Sequence, residues 1–267
     1  MKNTIDMVHA RNAMNRFLDS FEDRDKPGFR LKVVHTYHVV RNARKIAEES
    51  GMSEEDVRLA MLIGLLHDIG RFTEISDTGR LDNERYDHAE QGADLLFGKG
   101  MIRDFIETDA YDDIIECAVR LHNKLNVPDG LSEEQDRHAR LIRDADKLDN
   151  FRVKAEEPIE EIFPNRIGSI AEINESHISE AVMAAFRRNE CVNIYDRKTP
   201  LDYMMCILAF VFDLNFDVTK KDILENGYIE KIISRVDLKE NEAAGQLREC
   251  YEIIVCFLRG GSAGSGS

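Results

Sequence analysis

Four histidines and two aspartates are the residues of this sequence with the clearest chemical reading: His35, His67 with Asp68, His88, His122 and Asp146. An imidazole and a carboxylate taken out of water cost free energy unless something offsets their desolvation. A divalent cation does so most economically, because neutral imidazole and carboxylate are both ligands for it. His67 and Asp68 stand where that cost would be high. They follow Leu59-Ala60-Met61-Leu62-Ile63-Gly64-Leu65-Leu66, eight apolar or glycine residues with no polar face among them. The run predicts a helix buried on all sides, too short to span a bilayer, that delivers the pair and stops at Gly70.

Five helical segments must bring the six residues together. The spacing predicts an opening helix over Ile5–Phe21 and a turn at Asp25-Lys26-Pro27-Gly28. A long helix then runs over Phe29–Glu49, carries His35, and ends at Gly51. Ser53 caps the buried helix, with Glu54, Glu55 and Asp56 in its first turn. Arg71–Asp87 is polar and weakly periodic, and reads as a loop over the site. Asp87 caps a helix from His88 to Phe97, closed by Gly98-Lys99-Gly100. Further helices are expected over Ala110–His122 and, after a turn at Val127-Pro128-Asp129-Gly130, from Ser132 to about Phe151 with Asp146 on it. Asp149, at i+3 from Asp146, shares its face; Asp144 does not.

The second part is also helical by pattern, and no internal repeat occurs. Ile170–Arg188 is amphipathic, Thr199-Pro200 opens a helix over Leu201–Leu214, and Lys239–Arg259 closes the chain. Cys191–Tyr195 is the one weak strand candidate. The reading is therefore all-α, a single domain over 1–259, with 260–267 a flexible linker or tag remnant.

Composition narrows the function classes. Net charge is −15, the wrong sign for general nucleic-acid binding, although an anionic small molecule remains acceptable to a site with its own cations. The five cysteines form no CxxC pair and read as reduced thiols of a cytoplasmic protein. The start has no apolar segment of a secretory signal, and no run is long enough to enter a membrane. His9, His138 and His177 read as ordinary surface or core residues. Met204, Met205 and Phe210–Phe212 read as core packing.

The order His, His-Asp, His, His, Asp resembles the HD phosphohydrolase superfamily. The contexts match as well: His35-Thr36-Tyr37-His38-Val39-Val40, Leu65-Leu66-His67-Asp68-Ile69-Gly70, His88-Ala89-Glu90-Gln91-Gly92, Leu121-His122-Asn123 and Ala145-Asp146-Lys147-Leu148. The resemblance covers about residues 30–152, and 153–259 would be a C-terminal helical extension. His38, one turn beyond His35, is either a supporting partner or a register alternative for the ligand.

The resemblance implies an HD-type helical bundle and a site for two divalent ions (Mn²⁺, Fe²⁺ or Mg²⁺). His35, His67, Asp68 and Asp146 would hold one, and Asp68 would bridge to a second on His88 and His122. Ions about 3.5–4 Å apart can share a bridging hydroxide as nucleophile and hold a phosphoryl oxygen for in-line attack. The expected activity is hydrolysis of a small, nucleotide-like phosphate mono- or diester. Asp68, Lys147 and Arg71 are the catalytic candidates. Arg71, Lys124, Lys147, Asp149 and Arg152 are the substrate-binding ones, with Lys32 a weaker cation. Many dinuclear relatives carry lysine where Arg71 stands. Arginine grips phosphate well but donates protons poorly, which passes the leaving-group proton to Lys147 or a metal-bound water. No Gly-Tyr-Pro tripeptide occurs, which disfavours the cyclic-di-GMP subgroup, and no Glu-Asp pair follows as in alarmone hydrolases. Two other classes fit the same ligands: a di-iron oxygenase cleaving C–C or C–P bonds, and a non-catalytic metal-stabilised binding protein.

Overall fold

Several helix starts in this chain are set by side chains that satisfy the orphan N–H groups of a first turn. The computed structural model describes residues 5–79, 86–158, 167, 169–238 and 242–260. In it Asp6 accepts from the Val8 and His9 amides and opens α1 (Met7–Asp19). Pro27 occupies the first turn of α2 (Pro27–Glu49), where its missing N–H costs nothing. The turn expected at 25–28 is therefore a 3₁₀ turn at Glu22–Asp25 followed directly by helix. Ser53 accepts from the Asp56 amide and starts α3 (Glu54–Leu66).

α3 is buried along its second half, from Leu59 through Leu66 except for the half-buried Met61. It packs on α2 so closely that a Cβ at Gly64 would stand 3.2 Å from Val40 Cα. The helix does not run on to Gly70. It breaks at His67-Asp68, and a new helix, α4 (Ile69–Thr78), begins at once. The loop expected over 71–87 is thus helical to Thr78, and residues 80–85 lie outside the described residues. Phe72 of α4 packs against Phe29 of α2 (centroids 4.9 Å apart) and Phe17 of α1 (6.3 Å).

Asp87 accepts from the Ala89 and Glu90 amides and opens α5 (His88–Ala93), which passes into a π-helical turn at Asp94–Gly98. Then come the short α6 (Ile102–Phe105), α7 (Asp112–Leu121) and α8 (Glu133–Glu156). Ser132 and Gln135 cap the start of α8 reciprocally, side chain to amide.

Packing divides the chain into two compact units, 1–149 and 150–267. In the second, the amphipathic stretch over 170–188 is not one helix. It is α9 (Ile170–Asn174) and α10 (Glu180–Arg187), with the chain between them non-helical. Asp202 explains part of the break: buried, it accepts from the Ser179, Lys198 and Thr199 amides. α11 (Pro200–Leu208) starts in a Thr199/Asp202 capping box and ends as a 3₁₀ turn to Asp213. Cys191–Tyr195 forms no strand; its end belongs to a 3₁₀ turn, Ile194–Asp196. α12 (Asp217–Asn226) and α13 (Tyr228–Ile233) lie in a stretch with no clear sequence signal, and α14 (Glu242–Leu258) closes the chain. The protein is all-α: no strand occurs among the described residues. No helix there is long and apolar enough to cross a membrane.

Candidate metal centre

The break between α3 and α4 is what exposes His67 and Asp68 to the rest of the site. Two adjacent residues on one continuous helix would diverge by about 100°. At the junction the Asp68 backbone leaves the helical range (φ −105°, ψ 18°), and both side chains turn to the same region. His35 reaches it from α2, His88 from the start of α5, His122 from just past α7, and Asp146 from α8.

Six residues converge as two triads. Ligand atoms of His35, His67 and Asp146 lie within 4.8 Å of one another, as do those of Asp68, His88 and His122. Asp68 joins the two. Its Oδ2 is 3.6 Å from both His35 Nε2 and His67 Nε2, and its Oδ1 is 3.4 Å from His88 Nε2 and 3.5 Å from His122 Nε2. His35 Nε2 stands 3.1 Å from Asp146 Oδ1.

Backbone and side-chain acceptors fix the imidazoles. His67 Nδ1 donates to the Gly64 carbonyl at 2.8 Å, and His122 Nδ1 to that of Val119 at 2.7 Å. His35 Nδ1 donates to Asp149 Oδ2 at 2.7 Å. With Nδ1 so engaged, each ring turns Nε2 inward, the arrangement in which ligating histidines are held. His35 Nε2 and His67 Nε2 are buried and make no hydrogen bond. Lone pairs facing carboxylate oxygens repel unless a cation stands between them, so the donor set fits a divalent ion.

The electrostatics agree. Burial drives the His67 imidazole down to about 4. Burial, with Arg71 adding to it, holds His88 well below its ordinary value. Both rings are therefore neutral at pH 7, the form in which an imidazole can take a metal. Burial alone would raise Asp68, but Lys32 and the surrounding imidazoles outweigh it and keep the carboxyl ionised. Lys32 Nζ donates to Asp68 Oδ2 at 2.8 Å.

The remaining candidates divide. Arg71 is at the site: its Nε is 3.8 Å from Asp68 Oδ1, and Nη1 donates to the buried Glu74 at 2.7 Å. Lys147 is buried on α8 next to Asp146. Lys124 is ion-paired, 2.5 Å from Asp87 and 3.0 Å from Glu90, so it ties the segment after His122 to the start of α5. Asp149 is buried between His35 and His38, the latter 3.2 Å away, so it orients a ligand instead of opening to substrate. His38 is thereby a partner of Asp149 and lies outside both triads. Arg152 falls in the second unit and pairs with Glu156 at 3.4 Å and Glu157 at 3.9 Å.

Three residues at the site escape a reading by motif. Glu74 carries no motif of its own, although its i+3 spacing from Arg71 is an ion-pair signal. Asn42 donates to the Ala145 carbonyl at 3.1 Å and joins α2 to α8 beside Asp146. Arg143 binds carbonyls at the end of α7.

A helical unit whose centre gathers histidines and aspartates into two adjoining ligand sets is built as a divalent-metal-binding domain. Residues 33–150 match the model of the HD domain family. That family includes metal-dependent phosphohydrolases. No curated protein and no solved structure matches the chain.

Proposed function

We propose that this protein is a metal-dependent phosphohydrolase acting on a small, nucleotide-like phosphate mono- or diester. One observation carries the reading. Asp68 presents one oxygen to each triad, which is the arrangement a carboxylate shared by two ions requires. His35, His67 and Asp146 would hold the first ion, and His88 and His122 the second, with Asp68 common to both. Bound divalent ions would supply Lewis acidity, activating a water and neutralising phosphoryl charge.

The chain's own residues do the rest. Lys32 and Arg71 flank Asp68 and offer cations to phosphate oxygens within a protein of net charge −15. Glu74 holds the Arg71 fork in place. Lys147, beside Asp146, is the group proposed to give the leaving oxygen its proton. Asp149 keeps His35 in the tautomer that faces the centre.

The test is purification with Mn²⁺ followed by a broad phosphoester screen. Turnover of a phosphate ester, abolished in Asp68→Ala with the helical content unchanged, is the expected result. Two bound metals with no hydrolysis across the panel, or substrate-dependent O₂ uptake with a mixed-valent di-iron signal, would overturn it.

A further inference from the structure

α8 touches the centre twice. Asp146 belongs to the first triad, and Arg143, one turn earlier, reaches the second from behind. Arg143 is 2% exposed. Its Nη1 donates to the carbonyls of Leu121 (2.7 Å), Lys124 (2.6 Å) and His122 (3.4 Å), and Nη2 to that of Leu125 (3.2 Å). These carbonyls lie at and just beyond the C-terminus of α7, where the helical ladder no longer pairs them and they are partly negative; that of Leu121 also accepts from the Lys124 amide at 3.3 Å. His122 is the first residue past that helix, and its own Nδ1 takes the Val119 carbonyl. Two side chains therefore close the end of α7: the ring that faces the centre, and a buried guanidinium fixed to the helix that carries Asp146.

We propose that Arg143 is a positioning residue for the Asp68–His88–His122 triad. It sets where the His122 imidazole stands relative to Asp68, and so decides whether that triad takes an ion. The His35–His67–Asp146 triad does not depend on it. Residues 122–130 contain no helix, so the chain there has no regular hydrogen bonding to hold its shape. A planar guanidinium has five donors in a fixed fork and can span four carbonyls; an ammonium group is a compact point charge and cannot. Burying a guanidinium is costly unless its donors are satisfied. The return is a fixed distance between the elements bearing His122 and Asp146.

The proposal rests on the two-ion reading above, and the experiment separates the two. Wild type, His122→Ala, Arg143→Met and Arg143→Lys are loaded with Mn²⁺. Bound metal is counted by elemental analysis, affinities are measured by calorimetry, and folding is followed by circular dichroism. Wild type should bind two ions and His122→Ala one. Both Arg143 variants should keep the first ion at wild-type affinity and bind the second at least about tenfold more weakly, the scale of effect seen when a ligand's supporting contacts are removed. Wild-type affinity for both ions in a folded Arg143→Met overturns the proposal, as does equal weakening of the two. Should Arg143→Met fail to fold, Arg143→Lys decides. Should neither fold, Arg143 serves the whole unit and the proposal is wrong. One ion or none in wild type, unchanged in His122→Ala, instead refutes the two-ion reading, and the proposal falls with it.

Discussion

Gly70 lies under the carbonyl of His88. A Cβ added to Gly70 would stand 2.2 Å from His88 O and 2.8 Å from Gly92 N. The missing side chain is what lets α4 and α5 approach until His88 meets Asp68. The glycine after the His-Asp pair therefore has a packing reason, separate from the helix end that its position in the sequence suggests.

Gly70→Ala should destabilise the protein by at least about 2 kcal/mol, since the clash is with backbone and only a shift of helices relieves it. Gly92→Ala, whose nearest atoms would be 3.3 Å away, should cost less. Urea denaturation of the two variants gives the comparison. Metal analysis should show that Gly70→Ala, if folded, loses affinity at the His88 triad.

Asp149 fixes His35 through Nδ1 at 2.7 Å. Asp149→Asn keeps the size but weakens the acceptor and permits the wrong tautomer. The variant should bind the ion on His35, His67 and Asp146 about 10–100-fold more weakly. Calorimetry with Mn²⁺ checks this, and affinity at the other triad should hardly change.

Glu74 is fully buried and charge-paired with Arg71. Glu74→Gln preserves the shape and leaves a neutral acceptor, which loses about 1 kcal/mol of interaction. If Arg71 meets phosphate, KM for a phosphoester should rise by about fivefold, with kcat less affected. An unchanged KM would remove Arg71 from substrate binding.

Acid should destabilise the metal-free protein. His67, His88 and His138 are all held below their ordinary value near 6.5, chiefly by burial. The unfolded chain then takes up protons first, so stability is full above about 6.5 and falls as pH drops toward about 4. His67 alone contributes up to about 3 kcal/mol of that loss. His35 opposes it: burial lowers it, but the Asp146 and Asp149 carboxylates beside it win and raise it. Three groups outweigh one, so the urea midpoint of chelator-treated protein should decrease steadily between pH 7 and pH 5.

Much of the centre was legible because each ligand sits at a helix end or on a face that local pattern marks. The apolar run before His67, the caps at Ser53 and Asp87, and the order of ligands were all present in one dimension. The break at His67-Asp68 was not, because 71–78 is polar and weakly periodic and reads as loop, while the packing of Phe72 on Phe29 and Phe17 goes with a second helix there. Lys124 reads as a phosphate-binding cation from its distance to His122 in sequence, while Asp87 and Glu90 at the start of α5 pair with it. Arg143 and Asn42 bind backbone carbonyls, which leave no trace in side-chain pattern. In the second unit, α9 and α10 share one amphipathic stripe, and only the Asp202 network, brought in from α11, shows why the chain departs from helix between them.

Asp68 belongs to both ligand sets through its two oxygens. A carboxylate is a rigid plane, so rotating it toward one triad turns it away from the other. The α3–α4 joint on which it is mounted therefore works as a balance point: substitutions far from either triad that tilt this joint will strengthen one side at the expense of its neighbour.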